Sequence, residues 1–175
     1  FTYGFNTDLL GRLVEIWSEK PLDQSLAESV LRPLEMSDTA FNVVPDRRDR
    51  FASCHTSTDG KLAVLDKCSE SPFQEGFKFL SGGGGLTSTA NDYAKFCQML
   101  TGGGQRNGVR VLKPETLSLM FEDQLGDAQG NFRFGLGFAI EDISVGKGEG
   151  AKKVRQYAWG GYASTDFRIV PELNL

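Results

Sequence analysis

Apolar side chains follow two periods along this chain, helical over most of its length and alternating near the end. Leu9, Leu13, Ile16 and Trp17 fall on one face of a helix predicted over residues 8–19, with Leu10 and Val14 beside them and Thr7 as its cap. Behind Pro21, Leu22, Leu26 and Val30 keep the same spacing and predict a second helix, which Pro33 stops soon after. Residues 37–80 are polar and weakly periodic, so loops with short pieces of structure are expected there. Thr89 and Asp92 have capping-box spacing, and Tyr93, Phe96, Cys97 and Leu100 form an i, i+3, i+4, i+7 stripe, the clearest helical signal in the chain. Asn107-Gly108 predicts a turn before a short strand from Val109 to Leu112. Pro114 stands where the first turn of another helix accepts it, with Leu117, Met120 and Phe121 facing inward.

The last third changes period. Leu136, Phe138 and Ile140 alternate, as do Arg155, Tyr157 and Trp159, and then Thr165, Phe167 and Ile169. Helices followed by adjacent strands predict an α+β fold, an antiparallel sheet flanked by helices. A single partial domain is expected over residues 1–175, mainly helical in 1–122 and sheet in 123–175. Leu173-Asn174-Leu175 reads as the start of a further strand.

Composition narrows the function classes. The chain has 175 residues, 39% apolar and 24% charged, with a net charge of −4. That balance carries no basic footprint for nucleic acid, and no apolar run approaches the roughly 20 residues of a membrane-spanning helix. Three cysteines, Cys54, Cys68 and Cys97, make a poor disulfide framework, and Cys97 falls on a helix's apolar face. With His55 as the single histidine and no His-Glu-x-x-His arrangement, neither a metal nor a cofactor is expected. His55 sits in the polar run Cys54 to Gly60 and reads as a solvated loop residue. The mixed run Asp46-Arg47-Arg48-Asp49-Arg50 reads as a solvated face. Gly82 to Gly85 lacks a following Gly-Lys-Ser/Thr, so it predicts a loop entering the next helix rather than a phosphate cradle.

Four segments in order resemble the serine β-lactamase and penicillin-binding-protein superfamily, in its carboxylesterase branch. Tyr3-Gly4-Phe5-Asn6-Thr7-Asp8-Leu9-Leu10-Gly11 resembles the tyrosine motif and the helix behind it. Arg32-Pro33-Leu34-Glu35-Met36-Ser37-Asp38-Thr39 looks like the segment closing the helical region. Gly82-Gly83-Gly84-Gly85-Leu86-Thr87-Ser88-Thr89 resembles the glycine-rich entry to the next helix, and Trp159-Gly160-Gly161 resembles the esterase version of the third motif. The resemblance implies a β-lactamase/transpeptidase-like fold, incomplete in this chain, and an acyl-enzyme mechanism.

In that mechanism a serine in an S-x-x-K motif attacks the acyl group, and a weak hydroxyl nucleophile needs a base beside it. The resemblance gives Tyr3 that role, as general base and proton relay, where position alone would allow a packing tyrosine at a helix entrance. It gives the backbone N–H of Tyr162 half of an oxyanion hole, and Trp159, Gly160 and Gly161 the substrate wall, where a glycine bulge beside a core Trp is the plainer reading. Ser144-Val145-Gly146-Lys147 also fits S-x-x-K, but it follows the tyrosine motif and lies among glycines that disfavour the helix needed to align serine with lysine. The nucleophile is therefore expected on an upstream segment or a second chain, and residues 1–175 alone are expected to be inactive.

Trp159 stands where β-lactamases and D-Ala peptidases usually place a basic residue or histidine, and Phe5 stands where Tyr-x-Asn would put its asparagine. Both departures favour small neutral acyl esters as substrate over β-lactam-like ones. A β-lactamase or D-Ala-D-Ala carboxypeptidase is the alternative enzyme, and a non-catalytic binding protein retaining the fold is the rival of another class.

Overall fold

Helix α1 spans Asn6–Ser18 and packs by a side that the apolar pattern does not mark. Its buried residue is Gly11, while Leu9, Leu10, Ile16 and Trp17 are exposed, Trp17 at 75%. A Cβ at Gly11 would lie 3.0 Å from Leu22 Cδ2 and 3.2 Å from the Gly82 Cα. Two chain segments thus reach the helix axis where the side chain is missing. Thr7 is not the cap. The Phe5 carbonyl takes that place, accepting from the N–H groups of Asp8 and Leu9 at 3.1 Å each. Among the described residues no side chain caps this end.

The computed structural model describes residues 2–74, 76 and 78–175. They form two compact units, one of Tyr3–Tyr93 and one of Ala94–Leu175 joined by Thr2. In the first unit, α2 (Leu22–Leu26) follows Pro21 and widens into a π-helical turn over Ala27–Leu31. Leu22, Leu34, Met36 and Phe41 are its buried apolar residues. The polar stretch behind them holds a 3-10 turn, Pro45–Arg50, and an antiparallel hairpin of β1 (Cys54–Thr58) and β2 (Lys61–Asp66). Asp59 and Gly60 make its turn with φ of 52° and 74°. His55 therefore lies on a strand, exposed and opposite Val64, not in a loop.

Helix α3 spans Ala90–Thr101. Thr89 Oγ1 accepts from the Asp92 N–H at 3.2 Å, one half of the capping box. The Asp92 carboxylate also reaches across to another segment. It is 2% exposed and accepts from the Asp38 N–H at 2.7 Å and the Thr39 hydroxyl at 3.1 Å. Met99 and Leu100 are the buried apolar residues of α3, with Phe96 and Cys97 half-buried.

In the second unit, β3 (Gln105–Arg106) and β4 (Val109–Arg110) close the predicted Asn107-Gly108 turn. Helix α4 spans Pro114–Phe121, with Pro114 in its first turn and Leu117 buried. The sheet follows: β5 (Arg133–Phe134), β6 (Ala139–Val145), β7 (Lys152–Gly160) and β8 (Asp166–Ile169), antiparallel in that order. Register places Ile140, Tyr157 and Ile169 in one row across three strands, all buried. Phe121 of α4 stacks on Tyr157 at 4.2 Å between ring centroids and meets Phe138 at 5.8 Å. This aromatic layer joins helix to sheet, and aromatic pairs add to the apolar area they bury. Leu136, the first residue of the alternating run, precedes β6 and is exposed. The chain end is no strand. Pro171–Leu173 makes a 3-10 turn, Asn174 reverses the chain at φ 54°, and the Val170 N–H donates to the Leu175 carbonyl at 2.6 Å.

Candidate active site

Tyr3 stands just ahead of α1 in the first unit, its side chain 65% exposed. The helix start behind it is fixed by contacts that no sequence motif announced. Ser81, which opens the glycine run, places its hydroxyl 2.5 Å from Asp8 Oδ1. The same oxygen accepts from the N–H groups of Gly83 at 3.2 Å and Gly84 at 3.1 Å. A hydroxyl has one donor and two acceptor sites, so Ser81 is saturated. Beside it Gly82 lies so close to α1 that a Cβ would sit 2.3 Å from the Thr7 carbonyl oxygen.

Trp159, Gly160, Gly161 and Tyr162 belong to the second unit, where β7 ends and turns into β8. The half-buried Trp159 ring meets Phe134 edge-on, 4.9 Å between centroids at 77°. Gly160 pairs with Asp166, and the Gly161 N–H donates to the Thr165 carbonyl at 2.7 Å. The Ser164 N–H then donates to the Gly161 carbonyl at 3.1 Å, closing a four-residue turn. Tyr162 holds the second position of that turn, whose N–H a β-turn leaves unused. Among the described residues nothing accepts from it, and the Tyr162 side chain is 91% exposed. A shallow groove of about 250 Å³ runs along this end of the sheet, lined by Phe132, Ala158, Trp159, Gly160 and Arg168 among others.

The profile of the β-lactamase family matches residues 2–175. This chain belongs to the β-lactamase family. A curated relative, an uncharacterized protein of Mycobacterium tuberculosis, is 39% identical over 133 residues, 76% of this chain and 33% of the relative. The monacolin J acid methylbutanoyltransferase of Aspergillus terreus is 29% identical over 202 residues, covering 99% of this chain and 46% of the enzyme. Among solved structures, EstCE1, described as a hydrolase with promiscuous acyltransferase activity, superposes with a TM-score of 0.79 at 21% identity, over 99% of this chain and 49% of that one. The fold is thus the β-lactamase/transpeptidase-like one. The chain spans between a third and a half of the length of these relatives. Members of the superfamily are serine hydrolases and acyltransferases.

Within this β-lactamase-family chain, Ser144 and Val145 lie on β6, Ser144 opposite Lys153, and Gly146 turns the chain at φ 102°. An extended strand directs side chains to alternate faces, so Ser144 and Lys147 lack the helical turn that S-x-x-K chemistry uses. The three cysteines are free thiols, and partial burial holds the Cys97 thiol above its ordinary range. Among the described residues no group of three His, Cys, Asp or Glu side chains could hold a metal ion. Among the described residues no helix is long and apolar enough to cross a membrane.

The Asp46–Arg50 run is more than a solvated face. Arg50 binds both oxygens of Asp38, at 3.2 and 3.0 Å, Arg47 binds Asp38 as well, and Arg48 donates to the Gln74 carbonyl at 2.6 Å. The hydrogen bond from Arg50, outweighing desolvation, together with the Arg47 and Arg50 charges, holds the Asp38 carboxyl below the usual range. A lowered folded pKa contributes stability that is present above the unfolded value of about 3.9 and disappears as pH falls through the folded value. Asp38→Asn is therefore expected to lower Tm at pH 7, and the gap to the parent protein should narrow progressively as pH falls below about 3.9. Thermal unfolding across the acid range checks this, and a gap that does not shrink at all as pH falls would assign the loss to something other than charge.

Proposed function

We propose that the whole protein is an acyl-transferring serine hydrolase of the β-lactamase superfamily, a carboxylesterase on small neutral acyl esters. Residues 1–175 form part of one such domain and supply Tyr3, Trp159, Gly160, Gly161 and Tyr162 to its chemistry. The serine and lysine of S-x-x-K come from an upstream segment or a second chain. The observation that carries this reading is the turn behind Trp159-Gly160-Gly161, which leaves the Tyr162 N–H outside any hydrogen bond among the described residues.

Each residue has a physical task. Tyr3 takes the serine proton, and the positive charge of the neighbouring lysine favours that transfer. The serine oxygen bonds to the acyl carbon, and the carbonyl electrons move onto its oxygen. The Tyr162 N–H, with the serine's own N–H, receives that charge, and one such donor is worth on the order of 3 kcal/mol. As the intermediate collapses, the Tyr3 hydroxyl passes its proton to the departing alkoxide. Water then enters with the same proton relay, releasing the acid and restoring the serine. An alcohol in place of water would give acyl transfer, the reaction named for the Aspergillus relative.

Substrate choice follows from Trp159. Its ring, braced by Phe134, offers a flat apolar wall with a single N–H donor, and the Arg168 guanidinium that lines the same groove is paired with Asp166 at 3.0 Å. The whole protein is expected to hydrolyse a short p-nitrophenyl ester faster than a chromogenic cephalosporin, compared as kcat/KM. A preference for the cephalosporin would turn the assignment to a β-lactamase or D-Ala-D-Ala carboxypeptidase. No turnover of either, with no labelling by a fluorophosphonate probe, would favour a non-catalytic binding protein.

A further inference from the structure

Asp8 is used in an unexpected way. It occupies the third position of α1, where an acidic side chain ordinarily reaches back to the N-cap N–H. Here the cap is Phe5, whose side chain offers nothing in return, and Asp8 turns outward to Ser81. A hydroxyl donating to a carboxylate at 2.5 Å is a short, charge-assisted bond, stronger than a neutral pair. Ser81 is in turn held by the Gly83 and Gly84 N–H groups. Gly82, between them, rests on the Thr7 carbonyl and the Gly11 backbone without room for a side chain. The first two turns of α1 are thereby clamped at Thr7, Asp8 and Gly11 to one loop 70-odd residues further along the chain. Tyr3 leaves these clamped turns only two residues before the Phe5 carbonyl that starts the helix.

We propose that the Asp8–Ser81 bridge is a positioning device for the Tyr3 phenol: it fixes the helix start from which the phenol projects, so that the hydroxyl meets the reacting serine. The inference rests on the reading of Tyr3 as base and deepens it. The Ser81 hydroxyl, fully engaged by Asp8, Gly83 and Gly84, is no nucleophile. Its role is geometric, and misplacement of a reacting group by about 1 Å costs up to about a hundredfold in rate.

The test is a double-variant comparison in the whole protein with a p-nitrophenyl ester. Ser81→Ala is expected to lower kcat by about tenfold to a hundredfold with KM within about twofold. Ser81→Thr, which keeps the hydroxyl, should recover most of it. In a Tyr3→Phe background Ser81→Ala should cost no more than about a further twofold, since the group it aims is already gone. Asp8→Asn replaces the charged acceptor by a neutral one and should give an intermediate loss, and it serves in place of Ser81→Ala if that variant does not fold. Unchanged kcat in the single variants, or an equal fall in both backgrounds, overturns the positioning role and leaves Tyr3 as base untouched. Full activity of Tyr3→Phe removes the base and the positioning role together.

Discussion

Tyr3→Phe is expected to reduce kcat of the whole protein on a p-nitrophenyl ester by about a hundredfold to ten thousandfold, the range over which a positioned acid–base group acts. The substitution removes one oxygen and keeps the ring, so it separates chemistry from packing. Tyr3 is 65% exposed, and surface changes of this kind shift stability by no more than about 0.5 kcal/mol. Tm should therefore stay where it is while turnover falls. Both acylation and deacylation need the relay, so no burst of p-nitrophenol should precede the slow steady state. An active Tyr3→Phe protein with a parent-like rate would assign the base to another group.

Gly82→Ala is expected to cost about 3 kcal/mol of folding stability or more, beyond the usual range for overpacking one methyl group. The new Cβ would fall 2.3 Å from the Thr7 carbonyl oxygen and 3.1 Å from the Gly11 Cα and N. Both obstacles are backbone atoms of a hydrogen-bonded helix, so no side-chain rotation relieves them. Either α1 moves away and breaks the Ser81–Asp8 bond, or the glycine turn opens. Gly84→Ala is the control, because nothing lies within 4 Å of the Cβ it would add and its φ is not in the left-handed region. Denaturant unfolding of the two variants should differ sharply although they stand two positions apart. Equal midpoints would show that α1 and the turn yield independently.

The same contact adds to the predicted helix α1 a packing that its apolar pattern does not contain. Leu9, Leu13, Ile16 and Trp17 share a helical face, and burial of that stripe is the ordinary expectation. The structure buries Gly11 instead and leaves Leu9, Ile16 and Trp17 exposed. Periodicity reports which residues could share a face, whereas packing follows the closest available approach. A glycine facing a glycine admits backbone against backbone, a contact no hydropathy pattern contains. The supporting carboxylates were equally hidden. Asp8 pairs with Ser81 across 73 positions and Asp92 with Thr39 across 53, spacings that no local motif encodes.

Short-range signals fared differently because their physics is short-range. Pro114 opens a helix since its missing N–H is one the first turn does not use, and the structure starts α4 there. Asn107 and Gly108 tolerate positive φ and make the turn of β3–β4. Alternation through Arg155, Tyr157 and Trp159 gives β7. The same logic failed at Leu173–Leu175, where Pro171 and the left-handed Asn174 bend three residues that alternate like a strand.

By itself, then, the order of residues determined the main helices of this chain, its antiparallel sheet and its family, because each rests on neighbours within a few positions or on motifs kept in series, whereas the β1–β2 hairpin lay in a stretch without a clear period. Tertiary structure alone decided which side of α1 packs, which carboxylates are held by which partners, and that the Tyr162 N–H is left without an acceptor among the described residues. Those outcomes depend on distances between segments far apart in the chain, and such distances are fixed only when the whole set of contacts forms together.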